Sequence, residues 1–268
     1  MRAFLIISLL TIKIFAFSDF QTRDTIKQYS NSLYNFKAYN ANYFLPFSYR
    51  YGGGYADTNS HKAKNTETEF QFSVRFDFAR DILGLNEIYS FAYTQRSYWQ
   101  FYSDSAFFRE SNYMPEFFVF FPISEPNDKK FVKAFRIGVA HESNGRGGFE
   151  ERSWNYVNGS VFFKYGALFS ELKLWARLPD KTDYNPKLID YTGHGYLKFM
   201  LPYKKHFADM KLKYNFNNKG SVELNYSYPV FGRDDLFLYI KLFNGYGESL
   251  IDYDNHIKKL GIGFSISR

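Results

Sequence analysis

The chain has 268 residues, a formal net charge of +7, 22% aromatic side chains with 24 Tyr and 32 Phe, and no cysteine. Lys and Arg are spread along it rather than gathered in one basic patch, which argues against a nucleic-acid partner; contact of basic loops with anionic headgroups, or plain solvation, is the expected use of the charge. After residue 18 no stretch approaches the ~18 or more uncharged apolar residues of a spanning helix, and the lack of cysteine suits an exported protein without establishing one.

Met1-Arg2, an apolar stretch from Ala3 to Ile12, Lys13 and then Ile14 to Ser18 read as a secretory signal peptide over residues 1–18, cleaved near Ser18. Lys13 interrupts the apolar stretch, so an uncleaved interfacial anchor is the alternative. Residues 19–38 read as a polar lead-in. From residue 39 the pattern becomes period two. Thr66 to Ala79 shows it most clearly, with Phe70, Phe72, Val74, Phe76 and Phe78 alternating against Gln71, Ser73, Arg75 and Asp77. The same alternation recurs at Val222 to Tyr228, Leu236 to Leu242 and Leu260 to Ile266. Apolar side chains facing lipid and polar ones facing a hydrogen-bonded interior reconcile a heavy aromatic load with a negative mean hydropathy.

Strands are expected near 39–51, 66–79, 87–102, 114–123, 131–143, 154–165, 167–178, 191–201, 206–216, 220–229, 235–244 and 257–267. That is about twelve, with lengths near the ~9–11 residues or more that a tilted strand needs to cross a bilayer. Connections after the first, third, fifth, seventh and eleventh strands are long, and those after the sixth, eighth and tenth are short. This is the asymmetry of long outer loops and short inner turns, with Asn217 to Gly220 a short exception on the outer side. The expected fold is an all-β, antiparallel up-and-down transmembrane barrel over residues 39–268. A soluble sandwich would need apolar faces that pair into a dry core and fewer exposed aromatics.

The segment from His141 to Asn155 places an imidazole, a hydroxyl and a carboxamide around one Gly-rich turn. Serine needs a base within reach to become a nucleophile, and the base needs a third group to fix its tautomer. Ser143, His141 and Asn155 fit those roles, although a polar hairpin tip is the plainer reading of the loop alone. Period two carries the apolar face of Phe135, Ile137 and Val139 on to His141 and Ser143, and puts Asn155 on the face of Val157 and Val161. A hairpin centred on Gly148 sets His141 opposite Asn155. Polar groups on an apolar exterior are expensive, so they mark either a structural network at headgroup level or a hydrolytic site that takes substrate laterally from the membrane. The lumen is then packed rather than open.

His141-Glu-Ser-Asn-Gly-Arg146 with Arg152-Ser-Trp-Asn155 closely resembles the outer membrane phospholipase A family, twelve-stranded barrel enzymes of Gram-negative bacteria. Tyr93 to Gln100, Phe108 to Glu116 and Gly245 to Asp254 resemble it too, so the likeness spans nearly the whole barrel. The resemblance implies a cell outer membrane location and calcium-dependent hydrolysis of acyl esters in phospholipids and lysophospholipids, with His141 as base, Ser143 as nucleophile and Asn155 as orienting partner. It further implies that the Gly145 amide is the oxyanion donor and that the enzyme is active as a reversible homodimer. Calcium would be held by the carbonyl of Arg146, the side chain of Glu151 and the carbonyl of the partner subunit's Ser105. Glu151 departs from the family's serine and Gly148 from an aspartate; Glu151 is a hard oxygen ligand that reaches further. The alternative for Glu150 and Glu151 is solvated loop charge. Gln95 continues the outward face of Phe91 and Tyr93, where a single subunit is expected to leave it without partners. The resemblance puts it at the dimer interface; a bond to a neighbouring Tyr is the alternative. A catalytically idle barrel, either porin or adhesin, is the competing function, with a soluble secreted esterase behind it.

Overall fold

The computed structural model describes residues 36–56, 62–125 and 127–267. The expected signal peptide over 1–18 lies outside them, and so does the lead-in apart from residues 36–38. Among the described residues the chain forms β1 (Phe36–Ala38), β2 (Tyr43–Gly52), β3 (Thr66–Arg80), β4 (Ile88–Trp99), β5 (Phe108–Pro122), β6 (Val132–Ser143), β7 (Ser153–Tyr165) and β8 (Leu168–Leu178). A short helix α1 (Leu188–Thr192) precedes β9 (Gly195–Tyr203), β10 (His206–Tyr214), β11 (Gly220–Pro229), β12 (Phe237–Gly245) and β13 (Ile257–Ser265). Each strand from β2 to β13 pairs antiparallel with its sequence neighbour, and β13 pairs with β2, which closes a twelve-stranded up-and-down barrel.

The barrel is apolar outside and charged inside. Phe72, Phe91, Phe135, Ile137, Val139 and Leu174 are all exposed on the wall. The inward-facing side chains include many charged ones, and these are buried in ion pairs. Lys259 bridges Glu67 at 2.7 Å and Glu69 at 3.1 Å, and the Tyr43 hydroxyl donates to Glu69 at 2.6 Å. A second layer joins Lys173 to Glu116 at 2.8 Å and Arg136 to Glu171, with the Tyr39 hydroxyl donating to Glu116 at 2.7 Å. Charges out of water are tolerable only when paired and hydrogen-bonded. An exterior of this kind faces hydrocarbon, and the strands provide the crossing; no helix among the described residues is long and apolar enough to do so.

Two expected boundaries need correction. The fourth barrel strand was expected from residue 114, but β5 begins at Phe108. Tyr98 pairs with Glu110 and Trp99 with Phe108, so a bulge at Arg109 sends Arg109 and Glu110 to the same side, both fully buried. Two adjacent inward charges break the period of two that marks a strand. The eighth was expected from 191, where α1 runs instead; Gly193, at φ 71°, follows its last residue, and β9 starts at Gly195. The links 100–107, 144–152, 179–194 and 246–256, with the described residues 53–56 and 62–65, lie at one end of the barrel, and 215–219 is the short exception expected there.

Candidate active site

β6 and β7 form the hairpin that carries the candidate residues. Their register pairs His141 with Asn155 and Ser143 with Ser153. Ala140 and Trp154, which flank the outward residues, are buried on the lumen side. His141, Ser143 and Asn155 therefore share the outer face and are half-buried there. His141 Nδ1 lies 2.8 Å from Asn155 Oδ1. A carboxamide oxygen only accepts, so this contact places the imidazole proton on Nδ1 and leaves the Nε2 lone pair free. Ser143 follows His141 by two residues on the same face, and among the described residues its hydroxyl has no hydrogen-bond partner. Such bonds often tighten only when substrate is present.

The 144–152 link is an ordered loop. Asn144, nearly fully buried, is its hub: Oδ1 accepts the amides of Arg152 at 3.0 Å and Arg146 at 3.3 Å, and Nδ2 donates to the Glu150 carbonyl at 2.8 Å. The chain then turns through a single 3-10 turn, Gly148–Glu150. Gly145 has φ 65°, and a Cβ there would meet the Tyr113 ring at 2.9 Å, so both backbone conformation and space call for glycine. Its amide has no hydrogen-bond partner among the described residues. Arg146 ties the loop to the barrel: its guanidinium reaches Glu110 at 3.4 Å, bonds Glu150, and donates to the backbone carbonyls of Phe108 at 3.3 Å and of the bulged Arg109.

The donors for a hard cation are incomplete in a single subunit. Among the described residues no group of three or more His, Cys, Asp or Glu could hold a metal ion. What the loop offers is the Arg146 carbonyl and the Glu151 carboxylate, neither with a hydrogen-bond or ion-pair partner among the described residues; Glu150 is taken by Arg146. These are oxygen donors of the kind calcium takes, too few to fill its shell of six to eight. Ser105 lies exposed in a different link, 100–107.

Gln95 lies on the outer face of β4, half-exposed, but it is not partnerless as expected. Its carboxamide oxygen accepts the Tyr93 hydroxyl at 3.1 Å and its amide donates to Ser97 Oγ at 3.1 Å. Residues two apart on a strand share a face, and both neighbours carry hydroxyls. The sequence reading passed over two residues that touch the site. Asn144 could have been found as a turn asparagine. Asp180, whose Oδ2 accepts Asn155 Nδ2 at 3.4 Å, comes from the next link, and nothing local to the hairpin points to it.

A family model described as phospholipase A1 matches residues 19–266. Phospholipase A1 of Proteus vulgaris is 35% identical over 211 residues, 78% of this chain and 72% of that protein. Among solved structures, outer membrane phospholipase A from Escherichia coli matches with a TM-score of 0.78 and 31% identity, over 87% of this chain and 98% of that one. An active-site mutant of the same protein, with alanine in place of an asparagine, matches similarly. The Salmonella typhi outer membrane phospholipase dimer with bound calcium matches with a TM-score of 0.77 and 31% identity, over 86% of this chain and 91% of that one.

Proposed function

The chain belongs to the phospholipase A1 family, and from that premise we propose that it is a calcium-dependent serine hydrolase of the outer membrane that cleaves acyl esters of phospholipids and lysophospholipids and works as a dimer. The observation that carries this reading is the 2.8 Å contact between His141 Nδ1 and Asn155 Oδ1 on the lipid-facing wall, with Ser143 next on the same face.

Ser143 Oγ attacks the ester carbonyl carbon of a lipid arriving sideways from the bilayer. His141 Nε2 takes the hydroxyl proton as the Oγ–C bond forms. Asn155 keeps the ring oriented and stabilises the imidazolium by a neutral hydrogen bond, less strongly than a carboxylate would. Negative charge collects on the former carbonyl oxygen, where the Gly145 amide meets it; such donors lower barriers by roughly 3–4 kcal/mol. The tetrahedral intermediate collapses with cleavage of the bond to the lipid's alcohol oxygen, which receives the proton from Nε2. Water, deprotonated by the same nitrogen, then releases the fatty acid from Ser143.

Calcium fits the donors present. The Arg146 carbonyl and Glu151 would hold it on one side and the carbonyl of Ser105 of the partner subunit on the other, with water completing the shell. When bound it supplies positive charge beside the developing oxyanion. The bound calcium in the Salmonella typhi dimer supports both the cation and the assembly. Gln95 is proposed for the subunit interface, since its amide retains one donor and one lone pair beyond those used by Tyr93 and Ser97.

The test is hydrolysis of phospholipid in mixed micelles by the purified protein, with and without a chelator, beside Ser143→Ala and His141→Ala. The expected result is activity that the chelator removes, calcium restores, and both substitutions abolish. A catalytically idle barrel would show none under any condition, and full activity in Ser143→Ala would remove the proposed nucleophile.

A further inference from the structure

The β7–β8 register pairs Asn155 with Leu178, the last residue of β8. Two residues further on, past Pro179, Asp180 lies in the 179–194 link on the side of Asn155. Its two carboxylate oxygens have separate tasks. Oδ1 accepts the Lys181 amide at 2.8 Å, which anchors the group, and Oδ2 accepts Asn155 Nδ2 at 3.4 Å. Among the described residues Asp180 makes no ion pair. Its charge is not committed elsewhere, whereas the nearby Arg177 is held by Asp183 at 2.7 Å and by the Asn185 carbonyl at 2.9 Å.

From this geometry we propose that Asp180 is a positioning residue for the hydrolytic site, selecting the one orientation of the Asn155 carboxamide that leaves His141 able to act as a base. The proposal rests on the Ser-His-Asn reading above. A carboxamide is nearly symmetric in shape but not in chemistry. With its oxygen toward His141, the ring carries its proton on Nδ1 and presents a free Nε2 to Ser143. Rotated by half a turn, it would present N–H to Nδ1, draw the ring into the other tautomer, and leave Nε2 as a donor with no basicity to offer. An aspartate in that place has no such second state; an asparagine does, and something must choose between the two. A carboxylate accepts and cannot donate, so Asp180 accommodates only the orientation in which the NH₂ group faces it. The carboxylate also adds negative potential behind Asn155, which favours the imidazolium formed during acylation. Of the other charged side chains on the two links, Arg146 and Glu150 pair with each other and Asp183 pairs with Arg177, which leaves Glu151, Arg152, Lys181, Lys187 and Asp190; Glu142 lines the lumen, where its carboxylate accepts the Trp154 indole N–H at 3.0 Å.

Asp180 is exposed and lies outside the strands, so its replacement leaves the barrel intact, which retention of the heat-modifiable folded form on gels will verify. The experiment is a double-mutant cycle on the full-length protein in phosphatidylcholine–detergent micelles with saturating calcium. In the wild-type background Asp180→Ala should lower kcat about two- to tenfold, the range expected from loss of one hydrogen bond of ordinary strength, with KM nearly unchanged. Asp180→Asn, which can present either a donor or an acceptor, should fall in the same direction. In an Asn155→Ala background, where there is no carboxamide to orient, Asp180→Ala should have no further effect on kcat. An unchanged kcat in the wild-type background overturns the proposal. So does an equal loss in both backgrounds, or a loss carried by KM, since either places Asp180 in contact with the lipid surface rather than with Asn155. Activity in Ser143→Ala would instead defeat the hydrolytic reading itself, a separate outcome read from a separate variant.

Discussion

Arg109→Met tests whether the lumen is a dry, packed interior or a hydrated one. The Arg109 side chain is fully buried. Its Nε and Nη2 reach Glu67 at 2.9 and 3.0 Å, Nη2 lies 3.4 Å from Glu248, and Nη1 bonds Asp252. The guanidinium also sits over the Tyr55 ring, 3.8 Å from its centroid. Methionine retains much of the apolar volume and removes the charge, leaving three carboxylates facing one remaining cation, Lys259, which already bridges Glu67 and Glu248. Breaking one buried pair costs about 3–5 kcal/mol, because the partner is left charged and desolvated. The three contacts share a single cation, and the orphaned acids can take up protons, so the costs do not add. The expected loss is therefore about 3–5 kcal/mol in unfolding free energy, comparable to much of the stability of an ordinary domain. Urea titration of the protein in micelles, followed by tryptophan fluorescence and by the folded band on gels, measures it. A loss below about 1 kcal/mol would mean that water screens these charges as it screens surface pairs, and the packed-lumen reading would fail.

Glu151→Ala should raise the calcium concentration needed for half-maximal hydrolysis while leaving the plateau nearly unchanged; superimposable titrations would show that Glu151 is not a ligand. Gln95→Leu should lower cross-linking yield and activity together at low protein concentration, by an amount set by an intramembrane hydrogen bond of about 0.5–2 kcal/mol. Sedimentation showing a fully active monomer would contradict it. Gly145→Ala should reduce hydrolysis at least tenfold, since the new Cβ meets the Tyr113 ring and the φ of 65° is strained for alanine; wild-type rates from that variant would detach the Gly145 amide from the reaction.

The barrel was legible because alternation is local. Phe70 to Phe78 declare their faces without knowledge of any partner strand, and the same rule placed His141, Ser143 and Asn155 on the outer wall with the observed register. Where the structure departs from the expectation, a non-local cause was at work. Arg109 and Glu110 read as a loop because two charges in a row have no place in a period of two, and the bulge that sends both inward shows only in the pairing with Tyr98 and Trp99. Gln95 was expected to want a second subunit, although its neighbours at two residues' distance, Tyr93 and Ser97, already carried the hydroxyls that satisfy it. Asp180 was beyond sequence reasoning altogether, because its meeting with Asn155 depends on the course of a loop after the following strand.

The distribution of charge has a consequence for how the protein is made. Glu69 lies on β3, near the beginning of the barrel, whereas its cations Lys241 and Lys259 lie on β12 and β13, at its end. A nascent sheet that entered the bilayer hairpin by hairpin from the N-terminal side would carry that carboxylate into hydrocarbon long before the lysines arrived, at a cost no lipid contact could offset. The seam where β13 meets β2 and β2 meets β3 must therefore come together before, or as, the inward face leaves water. On this reading a polypeptide truncated before β12 should fail to accumulate in the folded, membrane-inserted form, for want of the lysines that neutralise Glu69.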